Sequence, residues 1–169
     1  MPQLQLHEHV PGFRLTLSLQ LPRDRSTVPV IRHLNRAAMA EVGVAVSAAD
    51  DIELALAEAC ANVVKHSGPG DSYEVSITIG PVNAEIRVVD QGHGFDHQAL
   101  SAEMAEVGAE RGRGIALMHA LVDQVRFESK PELGTVVHLV KKLQFDDTIP
   151  SRRLMLEAAA KGRAPGEPD

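Results

Sequence analysis

Four short segments carry side chains whose type and spacing can do chemistry. Asp90-Gln91-Gly92-His93-Gly94-Phe95 places a carboxylate and two glycines directly after the strand-like run Ala84 to Val89. A carboxylate at the C-terminal edge of a strand can accept from an exocyclic amine, and glycines at alternate positions let the backbone approach a flat ring. Taken alone, the same pattern is also that of an ordinary turn. Glu58 and Asn62 stand four apart in the stretch Glu53 to Ser67, whose apolar and small residues recur with helical spacing. On a helix that spacing stacks both side chains on one face, about one turn apart. An Asn carbonyl suits a hard cation such as Mg²⁺, and a neighbouring Glu can take a proton from a hydroxyl or a water; a solvated polar pair is the alternative. Gly108 to Gly114 is a glycine-and-arginine loop running into an apolar helical pattern, where free backbone N–H groups together with Arg111 and Arg113 form an anion site. Gly134-Thr135 opens an apolar strand and can line a base pocket.

These residues need elements to hold them. Phe13 to Leu21 alternates apolar and polar residues, the mark of a half-buried strand. Asp24 or Ser26 can cap a first helix with Pro29 in its first turn, and an apolar face of Val30, Ile31, Leu34, Ala37 and Ala38 runs toward a stop at Gly43. Ser47 with Asp50 three residues on reads as a capping-box start for the helix that carries Glu58, and Gly68-Pro-Gly-Asp ends it. Tyr73 to Ile79 and Ala84 to Val89 form a hairpin around Gly80-Pro-Val-Asn, with the Asp90 loop at its far end. Ile115 to Val122 is a third helix. Val125 to Ser129 and Thr135 to Leu143 make a second hairpin. The pattern predicts an α/β (α+β) two-layer sandwich, a mixed and largely antiparallel sheet covered on one face by helices.

At 169 residues the chain suits one domain with a real core, assigned to residues 1–143. From Gln144 the composition shifts to a short Arg/Leu/Ala stretch and then Pro and Gly, which predicts a frayed tail over 144–169. A formal charge of -6 argues against non-specific nucleic-acid or anionic-membrane binding, so any role at DNA is indirect, through a protein. The single Cys60 has no intramolecular partner and sits among Ala and Val, which suits a reducing, cytoplasmic setting. No apolar run is long enough to span a bilayer, and the N-terminus lacks a basic-then-apolar signal pattern. His93 and His97 are four apart, but no Cys/His ligand set accompanies them.

In their order, helix ExxxN, strand DxGxG, loop GRGI and strand GTVVHL, the four segments resemble the Bergerat-type ATP-binding fold of the GHKL superfamily, over roughly residues 10–143. Within it the chain looks like the bacterial anti-sigma regulatory serine/threonine kinases, because the lid between Phe95 and Gly112 is short and no phosphoacceptor hairpin precedes the domain. The resemblance implies ATP and Mg²⁺ as cofactors. It implies that Asn62 coordinates Mg²⁺, that Glu58 is the general base or orienter toward the acceptor hydroxyl, and that Asp90 accepts from the adenine amino group. Gly92 and Gly94 let the loop approach, Gly112, Arg113 and Gly114 close over the phosphates, and Thr135 reaches the adenine directly or through water. Lys65 and His66 face either phosphates or solvent. Glu53 and Asp51 are rival carboxylates on the same helix, but Glu53 is nine residues from Asn62, which leaves Glu58 as the base. Gly108 stands apart from Gly112, a departure from the fuller glycine run of relatives. The implied partners are a sigma factor and a STAS-type anti-anti-sigma protein, with a homodimer as the implied assembly. A non-catalytic nucleotide-binding adaptor and a detached histidine-kinase catalytic domain are the alternatives.

Overall fold

The computed structural model describes residues 12–66, 72–90, 108–130 and 134–161, with the side chains of 66, 108–111, 129 and 130 left aside. Five strands, β1 (Leu15–Pro22), β2 (Ser72–Ile79), β3 (Asn83–Asp90), β4 (Gln124–Lys130) and β5 (Gly134–Lys142), form one sheet in the order β1-β2-β3-β5-β4. Among the described residues four helices accompany them: α1 (Thr27–Glu41), α2 (Val46–His66), α3 (Gly108–Leu121) and α4 (Pro150–Lys161). The two-layer α/β architecture matches the sequence expectation, with one correction. Every pairing among the described strands is antiparallel, so the sheet is not mixed.

The strand registers stack the alternating residues into rows across the sheet. Leu17, Ile77, Ile86, Leu139 and Val125 make one row, and Leu19, Val75, Val88, Val137 and Phe127 make the next. These side chains belong to one apolar core. Into it α2 lowers Ile52, Leu56, Ala59, Cys60 and Val63, and α1 adds Ile31 and Met39. Burial pushes the Cys60 thiol up to about 12, against the lowering effect of its hydrogen bond with Tyr73. One row further the apolar pattern breaks: Leu21 and Tyr73 are followed across the sheet by Asp90 and Thr135.

Charged residues fix the helices to one another and to the sheet. Glu53, buried on α2, accepts from Arg32 Nε and Nη2 at 3.0 and 2.7 Å and from Arg36 Nε at 2.6 Å. Arg36 also donates to Asp50 at 2.9 Å. On another side of α2, two residues before Glu53, Asp51 accepts from Lys141 Nζ of β5 at 2.8 Å, and the same ammonium donates to the Leu121 carbonyl of α3 at 2.7 Å. Both rivals of Glu58 are thereby committed to holding helices. Neither lies at the candidate site.

Local expectations are revised at the helix ends. Ser26 occupies the position before α1 but makes no side-chain cap. Asp24 instead closes the preceding turn on Ser26 N at 2.8 Å, and Thr27 Oγ1 donates to the Asp24 carbonyl at 2.6 Å. Helix α2 begins at Val46, which puts Ser47 inside its first turn, while Asp50 serves Arg36 rather than a capping box. Helix α3 begins at Gly108, well before Ile115, since Ala, Glu and Arg favour helix strongly enough to carry its glycines.

The stretch 144–161 is also structured where composition predicts fraying. Phe145 bridges to Val44, and Arg152 lies 3.8 Å over the Phe145 ring while its Nε donates to Asp147 at 2.6 Å. Ser151 Oγ donates to the Glu41 carbonyl at 2.6 Å, tying α4 to the end of α1. The glycine at position 43 has φ +76, and a Cβ there would lie 2.8 Å from both Arg152 Cδ and the Asp146 carbonyl. Left-handed backbone and close approach coincide at that glycine.

The Glu53 clamp yields a stability prediction. Burial alone would raise the Glu53 carboxyl, but hydrogen bonds from Arg32 and Arg36 outweigh it and hold the group below the ordinary value of 4.5. A depressed folded-state value means the contribution is complete above about 4.5 and is lost as pH falls through the folded value. Glu53→Gln should cost about 1–2 kcal/mol at pH 7, the lower part of the range for charged hydrogen bonds because both guanidiniums are half exposed. Thermal melts should register this as a drop of roughly 3–6 °C. The difference between wild type and variant should shrink as the buffer is taken below about pH 4.5.

Candidate functional site

Helix α2 runs antiparallel to β5: Asp51 near its start meets Lys141 near the end of that strand, and Cys60 further along hydrogen-bonds Tyr73, in the row of Asp90 and Thr135. Seven and eleven residues on, Glu58 and Asn62 therefore stand about 10 and 16 Å further along the helix, toward the Thr135 and Asp90 end of the sheet. Both are half-buried. The single-turn spacing read from the sequence brings them to a common neighbour, Gly114 of α3. A Cβ at Gly114 would lie 2.8 Å from Glu58 Oε2 and 3.9 Å from Asn62 Oδ1. Any side chain at 114 would thus occupy the space where a carboxylate and an amide oxygen converge.

Gly112 differs from Gly114. A Cβ there meets nothing within 4 Å, and Arg113 beside it is exposed. With α3 starting at Gly108, residues 112–114 lie inside the helix, and the first-turn N–H groups belong to 108–111. The anion site expected in a loop leading to Gly114 is therefore a helical segment. Lys65 is exposed near the end of α2, and the side chain of His66 lies outside the described residues.

At the end of the sheet, Asp90 on β3 and Thr135 on β5 face each other directly in the register. Asp90 is buried, 1% exposed, and forms an ion pair with Arg23, whose side chain is 10% exposed. Thr135 Oγ1 is buried, with no hydrogen-bond partner among the described residues. A buried hydroxyl without a partner is costly, and a ligand edge bearing donor and acceptor groups would satisfy it. Gly134 takes φ +88, a left-handed turn into β5 that a side chain would strain. Gly92 and Gly94, with the rest of the loop after Asp90, lie outside the described residues, as do His93 and His97.

The site residues fit a nucleotide. The orphaned Thr135 hydroxyl beside the Asp90 carboxylate suits a base edge. The space above Gly114, bounded by Glu58 and Asn62, supplies oxygen donors of the kind a hard cation accompanying phosphates takes. Arg23 was not identifiable as a site residue from sequence. An arginine following a strand-ending proline gives no local sign that it reaches a carboxylate 67 residues away.

Residues 21–141 match the family described as the histidine kinase-like ATPase domain, and the chain belongs to that family. Its resemblance to the anti-sigma branch is likewise borne out by its relatives. The serine-protein kinase RsbW of Halalkalibacterium halodurans is 30% identical over 141 residues, covering 78% of this chain and 86% of that protein. The anti-sigma F factor of Pasteuria penetrans is 36% identical over 103 residues, covering 56% of this chain and 68% of that one. Among solved structures, the RsbU and RsbW domains of a Mycobacterium tuberculosis protein superpose with a TM-score of 0.58 at 23% identity over 76% of this chain. This chain spans about a third of that structure, 32%, and the likeness is one of fold.

Gly112 and Gly114 of α3 separate stability from site geometry. Gly114→Ala should force the flexible Glu58 carboxylate aside at little cost to the fold. Thermal unfolding should stay within about 1 kcal/mol of wild type, while ATP-dependent activity falls by about tenfold or more from the misplaced carboxylate. Gly112→Ala has open space and should raise stability by up to about 1 kcal/mol through helix propensity, seen as a higher Tm.

Proposed function

We propose that this chain is an anti-sigma serine/threonine protein kinase of the cytoplasm. It binds Mg-ATP, holds a sigma factor inactive, and phosphorylates a small STAS-type anti-anti-sigma protein that antagonises this hold. The observation that carries the reading is the convergence of Glu58 and Asn62 on Gly114, at the same end of the fold as Asp90 and Thr135. The names of the curated relatives, a serine-protein kinase and an anti-sigma F factor, support it.

In this reading Asp90 accepts from the adenine amino group, Thr135 satisfies its hydroxyl on the base edge, and Gly92 and Gly94 let the loop approach the ring. Asn62 supplies the protein's oxygen to Mg²⁺, which when bound neutralises charge on the phosphates. Gly112, Arg113 and Gly114 cover the phosphates, with Lys65 at the margin. Glu58 accepts the proton of the acceptor hydroxyl as its oxygen forms the new bond to phosphorus, and ADP leaves. Phosphoryl transfer asks mainly for positioning and charge stabilisation, so this small set of groups suffices. The chain works as a homodimer and reaches DNA only through its partner.

Transfer of labelled γ-phosphate from Mg-ATP into soluble proteins of the source cell should label one small protein, stable to acid. Glu58→Gln should reduce that label by about 10²-fold or more, the range for loss of a general base. Label absent in wild type that still binds ATP would favour a nucleotide-binding adaptor, and acid-labile label would favour transfer to histidine. Asn62→Ala should in addition make nucleotide affinity insensitive to Mg²⁺, measured by titration with and without EDTA.

A further inference from the structure

Arg23 reaches the base end of the site from an element with no part in the motifs. It follows Pro22, the last residue of β1, whose partner on β2 is Ser72; the neighbouring Tyr73 pairs with Leu21 on one side and Asp90 on the other. Its guanidinium therefore crosses β2, a lateral span of about 10 Å between β1 and β3, to meet the Asp90 carboxylate. The turn that carries it is fixed at several points. Asp24 N donates to the Pro22 carbonyl at 2.8 Å, Thr27 N to the Asp24 carbonyl at 3.1 Å, and Thr27 Oγ1 shares a 2.7 Å hydrogen bond with Tyr73 OH. Both charged side chains are nine-tenths buried or more, at 10% and 2% exposure.

A buried carboxylate next to an apolar ladder needs its charge compensated, and the torsion that turns its plane is soft. One guanidinium can meet both needs. It neutralises the charge and, through the directional N–H of Nη2 on Oδ1, restrains the turn of the carboxylate. A carboxylate has about four acceptor positions on its two oxygens, so a base amine and the guanidinium can be accommodated together.

We propose that Arg23 is a positioning residue for the base: it orients the Asp90 carboxylate toward the exocyclic amine of adenine and so sets the preference for adenine over hypoxanthine nucleotides. This inference rests on the reading of Asp90 as the base acceptor. Hypoxanthine carries a carbonyl where adenine carries the amine, so a fixed acceptor at Asp90 favours one and repels the other.

Equilibrium dissociation constants of the full chain for ATP and ITP test this in wild type, Arg23→Gln, Asp90→Asn and the double variant. Wild type should prefer ATP by about tenfold or more. Arg23→Gln should weaken ATP by about fivefold or more and leave ITP within about twofold, so the preference collapses; it should add nothing in the Asp90→Asn background. Equal weakening of both nucleotides by Arg23→Gln, or the same loss with and without Asp90, would overturn the proposal. If Asp90→Asn itself keeps the wild-type preference, the base-acceptor reading fails, and this inference with it. If Asp90→Asn abolishes the preference and Arg23→Gln does not, only the role of Arg23 fails. Should Arg23→Gln not fold by circular dichroism, Arg23→Lys keeps the charge without the planar fork and should give an intermediate preference; an unchanged one would overturn the proposal.

Discussion

The antiparallel pairing of β3 with β5 is the constraint on which the remaining architecture depends. Because Asp90 ends one strand and Thr135 opens the other, their register brings two polar side chains 45 residues apart in sequence onto adjacent strands, facing the same layer. The same pairing places β4 at the sheet edge and makes the chain between β3 and β4 travel through α3. That helix has to lie against α2, since α2 already covers the centre of the sheet. Site and fold thus share one topological decision.

Helix α2 meets three different demands around its circumference. Toward the sheet it presents Ile52, Leu56, Ala59, Cys60 and Val63. Toward α1 it presents Glu53, held by two arginines whose directional donors fix the helix pair more specifically than apolar contact alone would. Toward α3 it presents Glu58 and Asn62, and here small residues on the facing helix leave space for functional oxygens rather than filling it. A helix so fully engaged has few positions that can change independently.

Much of this was legible in the sequence, for identifiable reasons. The run Ala84, Ile86, Val88 sets a period-two apolar pattern, and an acidic residue on the next beat, followed by glycines, marks Asp90 as a departure that packing does not explain. The four-residue spacing of Glu58 and Asn62 fixes their common face through helix geometry alone. What escaped depends on distant partners. Arg23 is defined by a carboxylate two strands away, and Glu53 by arginines on another helix. The early start of α3 escaped because glycine spacing reads as loop when the neighbouring helix formers are given less weight. The helix at 150–161 escaped because Arg152 is held by Phe145, Asp147 and the Val42 carbonyl, contacts that local composition does not encode.

Lys141 joins α2, α3 and β5 at a single ammonium, holding the last turn of α3 through the Leu121 carbonyl. The glycines of α3 lie in its first half. Any rearrangement that leaves Lys141 in place must therefore swing the helix about its C-terminus, like a lever on a fulcrum. Thirteen residues at about 1.5 Å each give an arm of roughly 20 Å from Leu121 to Gly108. A tilt of a few degrees then moves the start of the helix by an ångström or more, while the β4–β5 end is barely disturbed.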